Sequence, residues 1–299
     1  MSTQMRETAL ITGATSGIGR SFAVALAAEG CNLMLTGRRE ERLAALSADI
    51  AAEHDVEVEY RIVELTDREA MLALVAEVKA LDAVTVLINN AGFGRSSAFH
   101  EDDIAAEAGM VTVHIETALR LTHAVVPQMK SRGRGRIINV SSLASYLPLP
   151  RGAVYASTKA WMVSFSESIA LELAPYGIRC QALLPGFTRT DFHRGPQYGD
   201  LDRRNRGLIR WMDPEDVVRT SLTEIERGRA GGAAGRRRRL QAPRRRGRPG
   251  RGPTPAPPRV ICVPGAANRV LAVVARNLPR RLLYRMIAAQ RRTGDAGDD

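Results

Sequence analysis

The sequence predicts an α/β domain whose doubly wound parallel sheet is covered by helices on both faces. Three observations carry that expectation. Short, almost wholly apolar runs recur up to about residue 188. They alternate with longer segments of helical period. A glycine-rich turn joins the first run to the first helical segment. Strands that are apolar on both faces belong inside a sheet with helices on each side, and helical crossovers make neighbouring strands parallel.

The strand-like runs fall at 8–12, 32–36, 56–63, 84–89, 136–140 and 179–184, with helical segments at 18–29, 42–53, 69–80 and 153–174. This order describes a Rossmann-like domain, whose ligand crevice lies at the carboxyl ends of the strands. After Pro185 the pattern loosens. A helix is expected from Pro214 to about Arg227, with Asp213 as N-cap and proline at the first helical position. The tract 228–258 is almost wholly Gly, Ala, Arg and Pro, and it cannot bury enough apolar area to offset its ordering entropy. It is expected to be disordered. A last strand at 260–263, helices at 268–276 and 279–292 and a frayed acidic tail at 295–299 complete the chain. The expected organisation is a catalytic domain over 1–228 and an Arg/Gly/Pro-rich insert over 229–259. Residues 260–299 then return to the same domain.

With 299 residues, the chain is long enough to bury a sizeable core, and with only 5% aromatics that core must be built from Ala, Leu, Val and Ile. The formal charge of +11 is local: 11 arginines lie between Arg229 and Arg259, without which 43 basic residues fall to 32, equal to the 32 acidic ones. Nucleic acid is therefore not the expected partner of the fold. Cys31, Cys180 and Cys262 lack metal-ligand spacing and sit in apolar runs, so reduced, buried thiols and no metal site are expected. The first apolar run, Ala9-Leu10-Ile11, comes too early to follow a signal peptide, and no apolar run is long enough to span a bilayer. The expected location is cytoplasmic.

The turn Thr12-Gly13-Ala14-Thr15-Ser16-Gly17-Ile18-Gly19 follows the first strand and opens the first helix. Glycines there permit a tight turn and close backbone approach, and the helix N-terminus offers unpaired amides to a pyrophosphate. Gly13, Ser16, Gly17, Ile18 and Gly19 are thus candidate dinucleotide ligands. The second strand ends at Thr36-Gly37-Arg38-Arg39, where a carboxylate would have suited the ribose hydroxyls of NAD. Arginine instead suits a 2′-phosphate, so NADP(H) is expected over NAD(H).

Tyr155 and Lys159 stand four apart in a helical segment and share a face. An ammonium beside a phenol favours the phenolate and adapts tyrosine to proton exchange near neutral pH. Ser142 follows a strand and lies at its carboxyl end, where its hydroxyl can meet a developing oxyanion.

These motifs, with Asn89-Asn90-Ala91-Gly92 and Pro185-Gly186-Phe187-Thr188, occur in the order seen in short-chain dehydrogenases/reductases, and the chain resembles that family over about residues 6–228. The resemblance implies Tyr155 as general acid/base, Lys159 on the nicotinamide ribose and Ser142 orienting a carbonyl or alcohol substrate. It implies Asn90, Ala91 and Gly92 beside the adenosine, Glu64 and Leu65 near the adenine, and Pro185, Gly186, Thr188 and Thr190 around the nicotinamide and phosphates. It also implies a homo-oligomer, dimer or tetramer. His114 departs from the pattern, because the family usually carries asparagine there to anchor a proton relay. A rewired relay, a weakened catalyst and a buried histidine satisfied by backbone are all open readings.

The arginine tract lacks aromatics for base stacking; polyanion binding, an idle loop and an out-of-frame translation remain alternatives. The C-terminal segment alternates apolar clusters with Arg276, Arg280, Arg281, Arg285, Arg291 and Arg292. Such a basic amphipathic segment suits a peripheral membrane contact, a cover over the cleft or a subunit interface. The expected function is NADP(H)-linked hydride transfer between the nicotinamide and a carbonyl or alcohol. The alternative is a catalytically weak cofactor-binding regulator on the same fold that reaches polyanions through the insert.

Overall fold

A computed structural model describes residues 6–194, 204–205, 207, 210–239 and 259–294; the side chains of 228–239 and 289–294 are outside the description. Seven strands form one parallel sheet: β1 (Thr8–Thr12), β2 (Asn32–Gly37), β3 (Val58–Ile62), β4 (Val84–Asn89), β5 (Gly135–Val140), β6 (Ile178–Leu183) and β7 (Ile261–Cys262). Their spatial order is β3-β2-β1-β4-β5-β6-β7. The winding reverses between β1 and β4, and the carboxyl ends of those two strands open the crevice where such sheets bind ligands.

Helices α1 (Gly17–Ala28), α2 (Glu40–Glu53), α3 (Arg68–Leu81), α4 (Ile104–Val111), α5 (Thr117–Arg132) and α6 (Ala153–Leu173) connect the strands. α7 (Pro214–Arg239) precedes β7, and α8 (Ala266–Asn277) and α9 (Arg280–Gly294) follow it. Two apolar layers hold the sheet. One packs Phe22, Leu26, Leu43 and Val217 under β1 and β2; the other packs Met71, Leu121, Val125 and Met129 on the opposite face. β4 and β5 are buried along their whole lengths, as an inner parallel strand requires. The three cysteines are free and buried, and burial pushes the thiol of Cys31 up to about 11 and those of Cys180 and Cys262 up to about 12.

Two features differ from the pattern reading. α4 and α5 are joined by a π-helical stretch, Thr112–Glu116, into one helical run that periodicity alone does not reveal. α7 continues to Arg239 rather than ending near Arg227, since alanine and arginine are good helix formers and no proline interrupts before Pro243. The remainder of the arginine tract, 240–258, and the acidic tail, 295–299, lie outside the described residues. α8 reaches back to the crevice: the Asn268 side chain lies against Gly186, and the Arg276 guanidinium stands 5.4 Å from the Tyr146 ring centroid. Its outer face exposes Val270, Val273 and Val274. Among the described residues no helix is long and apolar enough to cross a membrane. A groove of about 900 Å³ between α1 and α7, lined by Val24, Val218 and Leu222 among others, contains none of the expected site residues.

Candidate active site

The glycine turn sits at the switch point. Gly13 has φ +68°, and a Cβ on it would lie 2.9 Å from Ala91 Cα, so only glycine lets the turn close on the end of β4. Asn90 fixes this contact: its side-chain amide donates to Thr12 O at 3.0 Å and Gly13 O at 3.1 Å. The Thr12 hydroxyl accepts from the backbone N–H of both Asn90 and Ala91 at 3.0 Å. Asn90 and Ala91 thus brace the turn, while Ile18 packs against the core behind it. Ser16 occupies the N-cap of α1 but makes no side-chain cap, so the first amides of the helix remain available to an anion.

Arg39, the N-cap residue of α2, reaches across to the turn. Its guanidinium donates to the Thr15 hydroxyl at 2.7 Å and the Ser16 hydroxyl at 3.0 Å, and pairs with Asp191 at 3.4 Å. Arg38 pairs with Glu64 at 3.0 Å. Burial pushes the Glu64 carboxyl up, but hydrogen bonds from Thr66 and Arg38 outweigh it and hold the carboxyl below its ordinary value. Leu65 is buried beneath. A bare glycine turn and an arginine pair at the switch point fit a phosphorylated dinucleotide. The cap-free helix terminus offers amides that would suit a pyrophosphate, and the guanidiniums offer donors that would suit an anion.

The candidate reacting side chains come from the end of β5 and from α6. Ser142 follows β5, caps a short 3-10 turn (Leu143–Tyr146) and stands beside the Tyr155 phenol. Burial pushes that phenol up, and the Ser142 hydrogen bond works against the rise. Lys159 is 4% exposed; its ammonium donates to Val140 O at 2.9 Å and stands 5.7 Å from the Tyr155 ring centroid. Burial pulls the lysine down to about 7. The Pro185–Thr190 segment lines the other side. Pro185 O accepts from Leu143 N at 3.1 Å, the Thr188 hydroxyl donates to Gly186 O at 3.1 Å, and Thr190 rests on Gly17.

His114 is fully buried at the centre of the π-helical stretch. Its Nε2 accepts the Phe93 backbone N–H at 3.2 Å, which leaves Nδ1 to carry the proton toward the Thr158 hydroxyl at 2.8 Å. Thr158 in turn donates to Tyr155 O at 2.8 Å. Burial, with Lys159 nearby, holds the imidazole well below its ordinary pKa. Gly92 leaves room for this ring, since a Cβ there would fall 2.5 Å from Nε2.

Pattern reasoning passed over several residues that the fold gathers here. Phe192 stands 5.7 Å from the Tyr155 ring, and His193, Phe187 and Trp211 continue the aromatic contact at centroid distances of 5.0 to 5.6 Å. In a chain only 5% aromatic this concentration is a real feature, but its members have no regular spacing to betray it. Among the described residues no acidic, cysteine or histidine group forms a metal site.

A dinucleotide cradle at the switch point, with serine, tyrosine and lysine beside it, defines an oxidoreductase that uses an NAD(P)-type cofactor on a CH–OH or C=O group. The chain belongs to the short-chain dehydrogenase/reductase family: the short chain dehydrogenase family model matches residues 7–197. It is 34% identical over 219 residues to an oxidoreductase of Staphylococcus saprophyticus, covering 73% of this chain and 90% of that one. It is 31% identical over 216 residues to the 3-oxoacyl-[acyl-carrier-protein] reductase of Aquifex aeolicus, covering 71% of this chain and 87% of that one. Among solved structures, a short-chain dehydrogenase from Sphingobium yanoikuyae in complex with NADPH superposes with a TM-score of 0.68. It shares 30% identity and covers 82% of this chain and 98% of its own.

Proposed function

We propose that this enzyme reduces an apolar ketone, aldehyde or acyl thioester with NADPH, or oxidises the corresponding alcohol with NADP+. The observation that carries the reading is Ser142 set beside the Tyr155 phenol, with Lys159 behind it, at the carboxyl edge of the sheet beside the glycine turn. The bound nicotinamide supplies or takes up the hydride. In the reducing direction Tyr155 gives its phenolic proton to the substrate oxygen as the carbonyl carbon receives hydride. Ser142 donates to the same oxygen while negative charge develops there. Lys159 holds the cofactor ribose and its ammonium offsets the phenolate. Phe192, Phe187, His193 and Trp211 favour a substrate with an apolar body. A panel of ketones, aldehydes and acyl thioesters with NADPH tests this; preference for small charged carbonyls over all apolar ones would count against it.

Arg39 and Arg38 carry the preference for NADP(H). Replacing both with alanine is expected to raise KM for NADPH by about ten- to a hundredfold, as loss of one or two charge-assisted hydrogen bonds predicts. KM for NADH should change little. Equal effects on the two cofactors would remove the assignment, and comparison of the single variants should show Arg39 as the larger contributor.

His114 acts here as a neutral positioning residue that fixes the Phe93 loop to α6 behind the catalytic tyrosine. His114→Asn is expected to leave the pH–rate profile unshifted between pH 6 and 9, because a ring held below its ordinary pKa has no titration in that range. Its stability effect has a sign. The neutral imidazole contributes stability that is fully present above the unfolded histidine pKa of about 6.5 and lost as pH falls below it. The wild-type Tm should therefore fall from pH 7 to pH 5 by more than that of the asparagine variant. A shifted rate profile would instead place a titrating proton on His114.

A further inference from the structure

We propose that Asp191 is a cofactor-specificity residue. Its carboxylate holds Arg39 and Arg42 until a 2′-phosphate displaces it, and that exchange links the choice of NADP(H) to the position of Phe192 beside the catalytic tyrosine. The inference rests on the NADP(H) reading above and deepens it.

Asp191 opens the short 3-10 turn Asp191–Arg194, directly after Thr190. One of its oxygens, Oδ2, accepts from Arg42 at 2.8 Å and from Arg39 at 3.4 Å, although about 150 residues separate the partners along the chain. The same Arg39 guanidinium lies on the hydroxyls of Thr15 and Ser16, so the carboxylate sits at the adenosine side of the glycine turn. A phosphate on the adenosine 2′-oxygen would need those donors. Carboxylate and phosphate are both oxyanions that accept from the guanidinium fork, and the more highly charged phosphate is the stronger acceptor.

The neighbours of Asp191 give the exchange a consequence at the reacting site. Thr190 rests on the glycine turn itself: a Cβ on Gly17 would fall 2.6 Å from Thr190 Cγ2. On the other side, Phe192 packs on Tyr155 at 5.7 Å and on His193 at 5.0 Å, and the His193 ring meets Trp211 at 5.2 Å. One carboxylate thus ties the arginines of the adenosine end to the aromatic group beside the phenol. A cofactor without the 2′-phosphate can bind with the Asp191 ion pairs in place. One that carries it replaces them and frees the segment. The pairs are partly exposed, with side-chain exposures of 33% for Asp191, 42% for Arg39 and 54% for Arg42, so their strength is modest and tunable rather than locking.

The test measures binding and emission rather than turnover. The chain has two tryptophans, so a Trp161→Phe background leaves Trp211 as the sole reporter of this segment. Calorimetric titration of NADP+ and NAD+ into that protein, with and without Asp191→Asn, gives the affinities. Asp191→Asn is expected to tighten NADP+ binding about three- to tenfold, the worth of removing a pair of exposed ion-pair competitors, and to leave NAD+ binding within about twofold. Free Asp191→Asn protein should also show the Trp211 emission that the parent reaches only with NADP+. An unchanged NADP+ affinity, or equal tightening for both cofactors, overturns the proposal. A parent protein that binds NAD+ as tightly as NADP+ overturns the cofactor preference itself, a separate failure visible before any Asp191 variant is made.

Discussion

Tyr155→Phe is expected to lower kcat for carbonyl reduction about a thousandfold while NADPH still binds with nearly its wild-type affinity. General acid catalysis by a positioned side chain contributes about a hundred- to ten-thousandfold, and the phenylalanine ring keeps the tyrosine's shape. The ring packs between His114 at 5.9 Å and Phe192 at 5.7 Å, and neither contact needs the hydroxyl. Only the interaction of the hydroxyl with Ser142 is lost, so the fold should survive with a Tm close to that of the parent. Lys159→Met provides a companion. It removes an ammonium buried at 4% exposure, so it should raise or preserve Tm while lowering kcat and weakening cofactor binding together. The contrast separates the two roles: tyrosine acts on kcat alone, lysine on kcat and on the cofactor. Turnover by the Tyr155→Phe enzyme within tenfold of wild type would mean that another group delivers the proton.

The second large effect lies at the far end of the sheet. Arg136 enters at the start of β5 with its side chain only 6% exposed and is met by Glu7 at 2.7 Å, Glu29 at 2.9 Å and Glu226 at 3.4 Å. Burial works against its charge, but Glu29 and Glu7 outweigh that and hold the guanidinium above its ordinary pKa. One cation therefore ties residues before β1, the end of α1 and α7 to the middle of the sheet. Arg136→Met leaves Glu7 and Glu29 without this counter-ion and Glu226 with Arg179 at 2.9 Å, and removal of one member of a buried ionic group costs about 3–5 kcal/mol. The carboxylates are themselves 34 to 40% exposed and will recover some hydration, so about 2–4 kcal/mol is expected. That corresponds to roughly 5–15 °C in Tm for a domain of this size. Glu7→Gln should cost under about 1 kcal/mol, because two carboxylates remain on the cation. The kcat of the folded Arg136→Met enzyme should match wild type, since the reacting groups lie at the opposite, carboxyl edge of the strands. A Tm loss no greater than that of Glu7→Gln would show that the cluster does not hold the sheet together.

The sheet was legible because its signal is local. Runs such as Val84–Asn89 are mostly apolar, and the turn at Gly13 follows a strand and opens a helix within a few residues. Tyr155 and Lys159 were legible because spacing on one helix translates directly into a shared face. What the pattern left out depends on contacts between distant segments. Nothing near His114 signals that Phe93 N–H and Thr158 will close on its two nitrogens, from 21 and 44 residues away. The arginines after β2 suggest an anion site, but nothing beside them signals that Asp191 pairs with Arg39 and Arg42 from about 150 residues further along. Arg136 reads as an ordinary strand residue until three chain segments bring acids to it. The length of α7 is hidden in a low-complexity tract, where alanine and arginine carry the chain on as helix to Arg239.

Hydride and proton are expected to reach one carbonyl beside Tyr155. Single-turnover reactions with NADPH deuterated at either face of C4 test it most directly, run on carbonyls from the substrate panel with wild type and Tyr155→Phe. Deuterium is expected on the carbonyl carbon of the wild-type product from one of the two labels, with almost no transfer by a Tyr155→Phe enzyme that still binds NADPH. Transfer by that variant at the wild-type rate, or NADPH binding by wild type with no transfer to any carbonyl tested, would contradict it.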